Sequence, residues 1–293
     1  MYEKYFGFHR RPFTLMADAP SCYPATAHEQ AYRQLLQAIR QGEGFLVVSG
    51  DPGMGKTYLA HRLLHQLDGE MSVIWLTNTH FADISGMYQA MLYDCGLPYH
   101  GHSEQELRLR FMDHVLKTYQ QGQRTLLVID EAHHLRPGQM EELRLLGNLE
   151  TRQGLVMQVM LIGQPALLEM LKRPKLASLA QRISVSLSME PLEVHEAVDY
   201  LVHHMRAAGG KPERIVTDEA LEVLARGSGG VPRLLNQAAH LALQFAHEAG
   251  QIPLDAEAAI EALHELGLPT PPEEEPLFAP KLRDEIEESK EAA

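Results

Sequence analysis

Only two cysteines occur in 293 residues, Cys22 and Cys95, far apart and without a partner motif. That excludes a disulfide framework and a cysteine-rich zinc site, and makes a reducing cytosol the expected home. Long apolar runs are also missing. No window approaches the ~18 apolar residues of a membrane span. The longest candidate, Leu155-Val156-Met157-Gln158-Val159-Met160-Leu161-Ile162, has the length of a strand. The N-terminal MYEKYFGFHRRPF holds no apolar segment of the kind a secretory signal requires. Positive charge is scarce: 26 Lys and Arg stand against 39 Asp and Glu, for a formal charge of -13. A strongly nucleic-acid-binding surface would be basic. Part of the acidity is local, however. Gly267–Ala293 carries eight acids and three bases, which leaves -8 for the body. The charge therefore weakens a DNA-binding reading and leaves room for a local basic face.

What is present reads as a soluble globular chain, with 45% hydrophobic residues. Short apolar runs at Phe45–Ser49, Val73–Thr77, Thr125–Ile129, Leu155–Ile162 and Ile183–Leu187 show little polar alternation. Strands buried on both faces read this way. Between them lie helical patterns: Lys56–Leu67, Ser103–Gln121, and Gln139–Leu149 with Met140, Leu143, Leu146 and Leu149 at a spacing of three. The alternation predicts an α/β fold, a parallel sheet with helices on both faces. After Pro191 the strand signals stop. Glu193–Ala207, Asp218–Ala225, Val231–Ala249 and Asp255–Leu266 read as helices, with Thr217 and Asp255 as N-caps. A domain boundary is expected near Met189–Leu192. Pro269-Thr270-Pro271-Pro272 and Glu273-Glu274-Glu275 open what reads as a linker and an acidic, disordered tail over 267–293. A short helix over Arg283–Lys290, docked on a partner, is the competing reading of that tail.

The chemistry begins at Ser49-Gly50-Asp51-Pro52-Gly53-Met54-Gly55-Lys56-Thr57. Gly50 to Thr57 fits G-x-x-x-x-G-K-[ST] without a mismatch, between an apolar run and an amphipathic helix. Glycines let backbone amides from Gly50 through Tyr58 turn toward phosphate oxygens. Lys56 reaches the β and γ phosphates, and the Thr57 hydroxyl ligates Mg²⁺. Leu126-Leu127-Val128-Ile129-Asp130-Glu131 ends an apolar run in two carboxylates, at a strand edge where ligands bind in open α/β sheets. Asp130 would hold Mg²⁺ through its water shell, and Glu131 would polarise an attacking water. Strand alternation would send the two acids in different directions. A glutamate after the Mg²⁺ aspartate favours ATP hydrolysis over kinase or GTPase chemistry.

Asp130-Glu131-Ala132-His133 also spells a helicase label. Such helicases carry two tandem motor domains, and this chain has room for one, so His133 and His134 read as the loop into the next helix. His61 and His65 stand at i, i+4, but Leu59, Leu63 and Leu67 define another face, and no acid or cysteine completes a metal site. Three further residues each carry two readings. Gln164 follows Leu161-Ile162-Gly163 and is either a contact to the γ-phosphate or its water, or a turn residue before Pro165. Arg182 precedes the last strand of the body and is either an arginine finger toward a neighbouring subunit or a surface arginine. Arg233 opens a helix of the bundle and either touches nucleotide or only ends that helix.

Taken in order, MYEKYFGFHRRPF, YPATAHEQAYRQLLQAI, GEGFLVVSGDPGMGKT, LLVIDEAHHL, EELRLLGNLET, VMLIGQPALLEML, LAQRI, LEVHEAVDYLVHHM and GSGGVPRLLNQAAHLAL run from residue 1 to about residue 249. Over this span the chain resembles the AAA+ ATPases of the ExeA/GspA type, including shorter MshM-like members. The resemblance implies a five-stranded AAA+ core over 26–190, a helical lid over 191–266, and an N-terminal segment over 1–25 that lines the nucleotide site. Pro12, Phe13 and His28 would line the adenine pocket, Gln164 would be sensor 1 and Arg233 sensor 2. Family members power or organise type II secretion or type IV pilus assembly. More distant TniB, TnsC and IstB-like relatives bind DNA and select transposition targets.

Two departures shape the expectation. Secretion members commonly continue into a membrane span and a peptidoglycan-binding domain, neither of which is in these residues, so a direct role at peptidoglycan is not expected. Ala177 stands where the family often carries arginine; if that arginine is the trans finger, hydrolysis is slow and ATP acts more as an assembly signal. The expected protein is a Mg²⁺-ATP-dependent ATPase that self-associates as a ring or filament. It would serve a protein partner of an envelope complex from the cytoplasm, peripheral to the inner membrane through that partner. The alternatives are a DNA-dependent ATPase of a mobile element or defence system, and an ATP-gated scaffold with little turnover.

Overall fold

The computed structural model describes residues 2–14, 23–152 and 154–270. Cys22, most of the expected acidic tail and the Arg283–Lys290 segment lie outside the described residues. In chain order the elements are α1 (Tyr2–Phe6), α2 (Thr26–Gln41), β1 (Phe45–Gly50), α3 (Lys56–Gln66), β2 (Met71–Leu76), α4 (Ile84–Asp94) and α5 (Glu104–Gln120). They continue as β3 (Arg124–Ile129), α6 (Pro137–Leu146), β4 (Glu150–Thr151), β5 (Gly154–Leu155), β6 (Met157–Gly163), α7 (Ala166–Leu171), α8 (Ala177–Ala180) and β7 (Ile183–Met189). The last are α9 (Val194–Ala207), α10 (Pro212–Ile215), α11 (Asp218–Gly227), α12 (Pro232–Glu248) and α13 (Ala256–Glu265). Two units result. One spans Thr26–Glu190; the other joins the described residues before Thr26 to those from Pro191 onward.

The first unit holds a five-stranded parallel sheet in the order β2-β3-β6-β1-β7. Three of the expected runs, now β1, β3 and β6, form its centre. Their Val, Leu, Ile and Met side chains are almost fully buried, as central strands of a covered sheet require. Phe111, Val115, Tyr88 and Met91 of α4 and α5 pack into the same core as Ile74, Leu127 and Val159. Tyr88 gives its hydroxyl hydrogen to Glu142, which also pairs with Arg108 at 3.0 Å, so a buried carboxylate is matched from two sides.

Three expectations need correction. Leu155–Ile162 is not one strand. Leu155 pairs with Glu150 in a separate antiparallel pair, and the Val156 N–H bonds Leu149 O at 3.0 Å before the chain enters the sheet at Met157. That same bond draws Leu149 off the predicted helix, which ends at Leu146. Ile183–Leu187 is not buried on both faces. Among the described residues β7 has a ladder neighbour on one side only, β1, and Ser184, Ser186 and Ser188 are exposed while Ile183, Val185 and Leu187 are half-buried. The period-two alternation of ISVSLSM signals such an edge strand.

The second unit is helical. Leu201, Met205, Leu221, Leu224, Leu235, Ala239, Leu243, Ala259 and Leu263 build its centre. Thr217 accepts from the Ala220 N–H and Asp255 from the Ala258 N–H, capping α11 and α13. The N-terminal aromatics belong to this core: Tyr2, Phe6, Phe8 and Phe13 are all buried in it. Leu268 also packs against it and bonds back to Leu263 O, so the described chain beyond Gly267 is held at least that far. Among the described residues no helix is long and apolar enough to cross a membrane.

Candidate active site

β1, β6 and β3 are neighbours in a parallel sheet, so their C-terminal ends share one edge. Ser49 of β1 lies beside Gly163 of β6, and Leu161 of β6 lies beside Ile129 of β3. The glycine-rich turn, Gln164 and the acidic pair therefore leave the sheet side by side.

The turn after β1 depends on its glycines. Gly53 has φ 91° and Gly55 φ 82°, values that side chains other than glycine rarely tolerate. Gly55 is the N-cap of α3 and supplies no side-chain cap, and the first turn of α3 has no acidic residue. The turn therefore meets the positive end of an 11-residue helix, a place that favours an anion. Lys56 is 7% exposed and lies across the turn, donating to Gly50 O at 2.8 Å and Asp51 O at 2.9 Å. Pro52 is exposed, Met54 is buried and Tyr58 half-buried on α3. His28, near the start of α2, bonds through Nε2 to Met54 O at 2.9 Å, which places it against the turn. Arg62 of α3 pairs with Glu29 and covers the Tyr32 ring, locking α2 to α3.

The acidic pair meets this turn. Thr57 Oγ1 donates to Asp130 Oδ2 at 2.8 Å, and the Glu131 N–H donates to Asp130 Oδ1 at 2.8 Å. Asp130 is 6% exposed. A hydroxyl and a carboxylate at this spacing are hard oxygen donors of the kind Mg²⁺ takes, direct or through a bound water, so the residues fit the metal.

Glu131 leaves the strand differently from what alternation predicts. Its φ is 53° and ψ 36°, a left-handed turn that ends the strand and opens the 3₁₀ turn Ala132–His134. Thr79 Oγ1 holds its carbonyl at 2.9 Å. The carboxylate lies toward His133, with Oε2 at 3.3 Å from Nδ1, and that oxygen is buried without a hydrogen-bond partner among the described residues. His133 also reaches the Gln164 N–H, at 3.4 Å. Its pKa is held below the ordinary value, first by burial, then by the neighbouring His134. Glu131, His133 and His134 bring carboxylate and imidazole atoms within 4.8 Å of one another. Sequence reasoning passed over His133 and Thr79. The doubled histidine after the acids was a signal for the first; Thr79 had none.

The other named residues fall elsewhere. Arg182 sits at the N-terminal end of β7, where Ile183 pairs with Phe45. Six residues at ~3.3 Å each place it about 20 Å from the nucleotide edge of its own sheet, and its guanidinium bonds Asn148 Oδ1. His61 and His65 are exposed, His61 stacking on Trp75. In the helical unit, Pro12 and Phe13 are buried, Phe13 beside the His204 ring, while Arg233 is exposed on the first turn of α12.

Comparison with known proteins gives this geometry relatives. An AAA domain family matches residues 39–171. General secretion pathway protein A of Aeromonas hydrophila is 37% identical over 253 residues, 85% of this chain. The chain spans about half the length of that curated relative, 46%. The fold is shared with the ORC2 protein of Aeropyrum pernix (TM-score 0.66, 17% identity, 88% of this chain and 72% of that one). It is shared also with Drosophila ORC bound to DNA (TM-score 0.68, 17% identity, 87% and 64%). The RuvB Holliday junction branch migration motor of Thermotoga maritima is more distant (TM-score 0.54, 18% identity, 82% and 68%). The chain thus carries a match to the AAA domain family over 39–171, shares the fold of these structures, and is similar over 85% of its length to general secretion pathway protein A.

Proposed function

We propose that this protein hydrolyses Mg²⁺-ATP at the edge formed by β1, β3 and β6, and uses the cycle to assemble or remodel a bacterial envelope apparatus of the secretion or pilus type. The observation that carries the catalytic part is the 2.8 Å contact between Thr57 and Asp130 beside the Gly53–Gly55 turn. Thr57 and Asp130 would hold Mg²⁺, which when bound offsets phosphate charge. Lys56 would exchange the carbonyls of Gly50 and Asp51 for phosphate oxygens. The α3 amides bind the same anion from the helix end. Glu131, with a buried oxygen that lacks a partner, would accept hydrogen from the attacking water, a role worth ~10²–10⁴ in rate. Gln164 would contact the γ-phosphate or that water, from the end of the strand beside β1.

His28, bonded to Met54 O of the turn, would stand at the adenine. Arg182, remote from its own turn, suits a site in a neighbouring subunit, which supports self-association as a ring or filament. The envelope role rests on similarity to general secretion pathway protein A, with a protein partner and a cytoplasmic place at the inner membrane. The DNA-dependent alternative has no comparable support, because its structural neighbours share only the fold.

One comparison tests the reading: ATPase rate and particle size with and without duplex DNA. The proposal expects nucleotide-dependent growth in size and a DNA-independent rate. A rate raised severalfold by DNA, with an effect that fades steeply as salt rises, would overturn the envelope assignment.

A further inference from the structure

The stretch Glu131-Ala132-His133-His134 folds into a turn closed by two main-chain bonds. The His134 N–H bonds Glu131 O at 3.0 Å, and the Leu135 N–H bonds Ala132 O at 3.1 Å. Thr79 Oγ1 holds the same Glu131 carbonyl. With Glu131 left-handed at φ 53°, its carboxylate meets the two imidazoles instead of alternating away from them.

Two atoms of this group face each other as acceptors. The Gln164 N–H lies 3.4 Å from His133 Nδ1, so that nitrogen presents a lone pair. Glu131 Oε2, 3.3 Å from the same nitrogen, is buried and has no hydrogen-bond partner among the described residues. Two lone-pair donors this close, with no hydrogen bond joining them, suit a cation that both can ligate. The spacing fits one class of ion. Ligand atoms at ~2.0–2.1 Å from a tetrahedral Zn²⁺ stand ~3.3 Å apart. His134 completes the set: its ring centroid is 4.0 Å from that of His133, and one ligand atom from each of the three residues lies within 4.8 Å of the others. His134 is exposed, so its ring has room to close the remaining distance. Two imidazoles and one carboxylate, with a fourth place for water, are ligands that zinc takes in proteins. Mg²⁺ prefers oxygen throughout, so this chemistry differs from that of Thr57 and Asp130.

We propose that Glu131, His133 and His134 form a site for a divalent transition ion of the Zn²⁺ class, separate from the Mg²⁺ place at Thr57 and Asp130, and that the bound ion stops ATP turnover. The ion takes the Oε2 lone pair that would otherwise accept hydrogen from the attacking water. His133 exchanges its long contact with the Gln164 N–H for the metal. Water, or His80 with its ring centroid 4.5 Å from that of His134, takes the fourth place. Binding of the ion needs no nucleotide. The inhibition rests on the reading of Glu131 as the base.

The chain has 16 histidines, so binding must be traced to these two. The full chain, without nucleotide and without a histidine tag, is titrated with Co²⁺, whose four-coordinate complexes absorb strongly in the visible. The proposal expects such a band, bleached by Zn²⁺. Loss of a partner in the outer layer of a metal site already costs 10–100-fold in affinity, so His133→Ala and His134→Ala should each weaken Co²⁺ binding at least ~10-fold. His61→Ala with His65→Ala, which removes the other histidine pair at helical spacing, should keep the band. ATPase rates in excess Mg²⁺ are then followed as Zn²⁺ is added, each variant scaled to its own rate without zinc. His134→Ala should need at least ~10-fold more Zn²⁺ than the wild type for half inhibition. No band, or a band that survives both histidine variants, overturns the site and leaves Glu131 as the base. Equal zinc sensitivity of wild type and His134→Ala overturns the inhibition through this site. Co²⁺ and Zn²⁺ held by both histidines with turnover untouched overturns the inhibition and the role of Glu131 as base together.

Discussion

At the scale of single residues, the site is a set of short contacts with separable roles. Lys56 is nearly buried and bonds two carbonyls of its own turn, so removing it deletes a cation at a place built around anions. Lys56→Ala should abolish binding of a fluorescent ATP analogue while leaving the circular dichroism spectrum unchanged; unaltered binding would contradict the site. Asp130→Asn should keep nucleotide affinity in EDTA but lose the gain that Mg²⁺ gives, measured by the same titration. The residues of this pair of motifs were legible in the sequence because phosphate chemistry needs glycines, a lysine and a hydroxyl at fixed spacing. The left-handed turn at Glu131 was not legible, since alternation along a strand stops applying once the strand ends. His133 was hidden by an argument about domain count, which bears on helicase identity and not on what an imidazole beside Glu131 touches.

At the scale of elements, apolar runs located the sheet and failed at its margins. β6 was legible as apolar residues, but a run cannot show that Leu155 belongs to another ladder. β7 carried its edge position openly in three alternating serines. α2 and α4 went unread: α2 buries only Leu35, Ala38 and Ile39 on one side, and Asp83, which caps α4 through the Gly86 N–H, sits in a stretch with little polar periodicity. Helix caps were more legible, because one side chain does the work. Thr217→Ala should cost the helical unit about 1 kcal/mol, read by urea denaturation. Gly230→Ala should cost more. Its φ is 69° and an added Cβ would stand 2.0 Å from Leu192 O, so a backbone hydrogen bond between those two residues must break or shift. Equal midpoints for the two variants would contradict that ranking.

At the scale of the molecule, the first residues and the last helices share one core, a partnership across more than two hundred positions that no local pattern reveals. The same core holds two histidines with pKa pushed down to about 4: His204, chiefly by burial and then by His203, and His240, by burial and then by Arg11. Both are neutral when folded and take a proton more readily when unfolded. Stability of the helical unit should thus be full above about pH 6.5 and fall as pH drops toward 4, as thermal melts across that window would show. His204→Gln should flatten that slope. Removing 271–293 spares Leu268 and its contact with the helical core, and should leave basal ATPase intact; a collapse of folding would show that the segment is structural.

The central claim is that Glu131, set by its left-handed turn beside Thr57 and Asp130, is the base for ATP hydrolysis. Single-turnover hydrolysis by Glu131→Gln, with bound nucleotide measured on the same sample, tests it most directly. The account predicts ATP retained with Mg²⁺ and cleavage slowed ~10²-fold or more. Cleavage at the wild-type rate with ATP bound would contradict it.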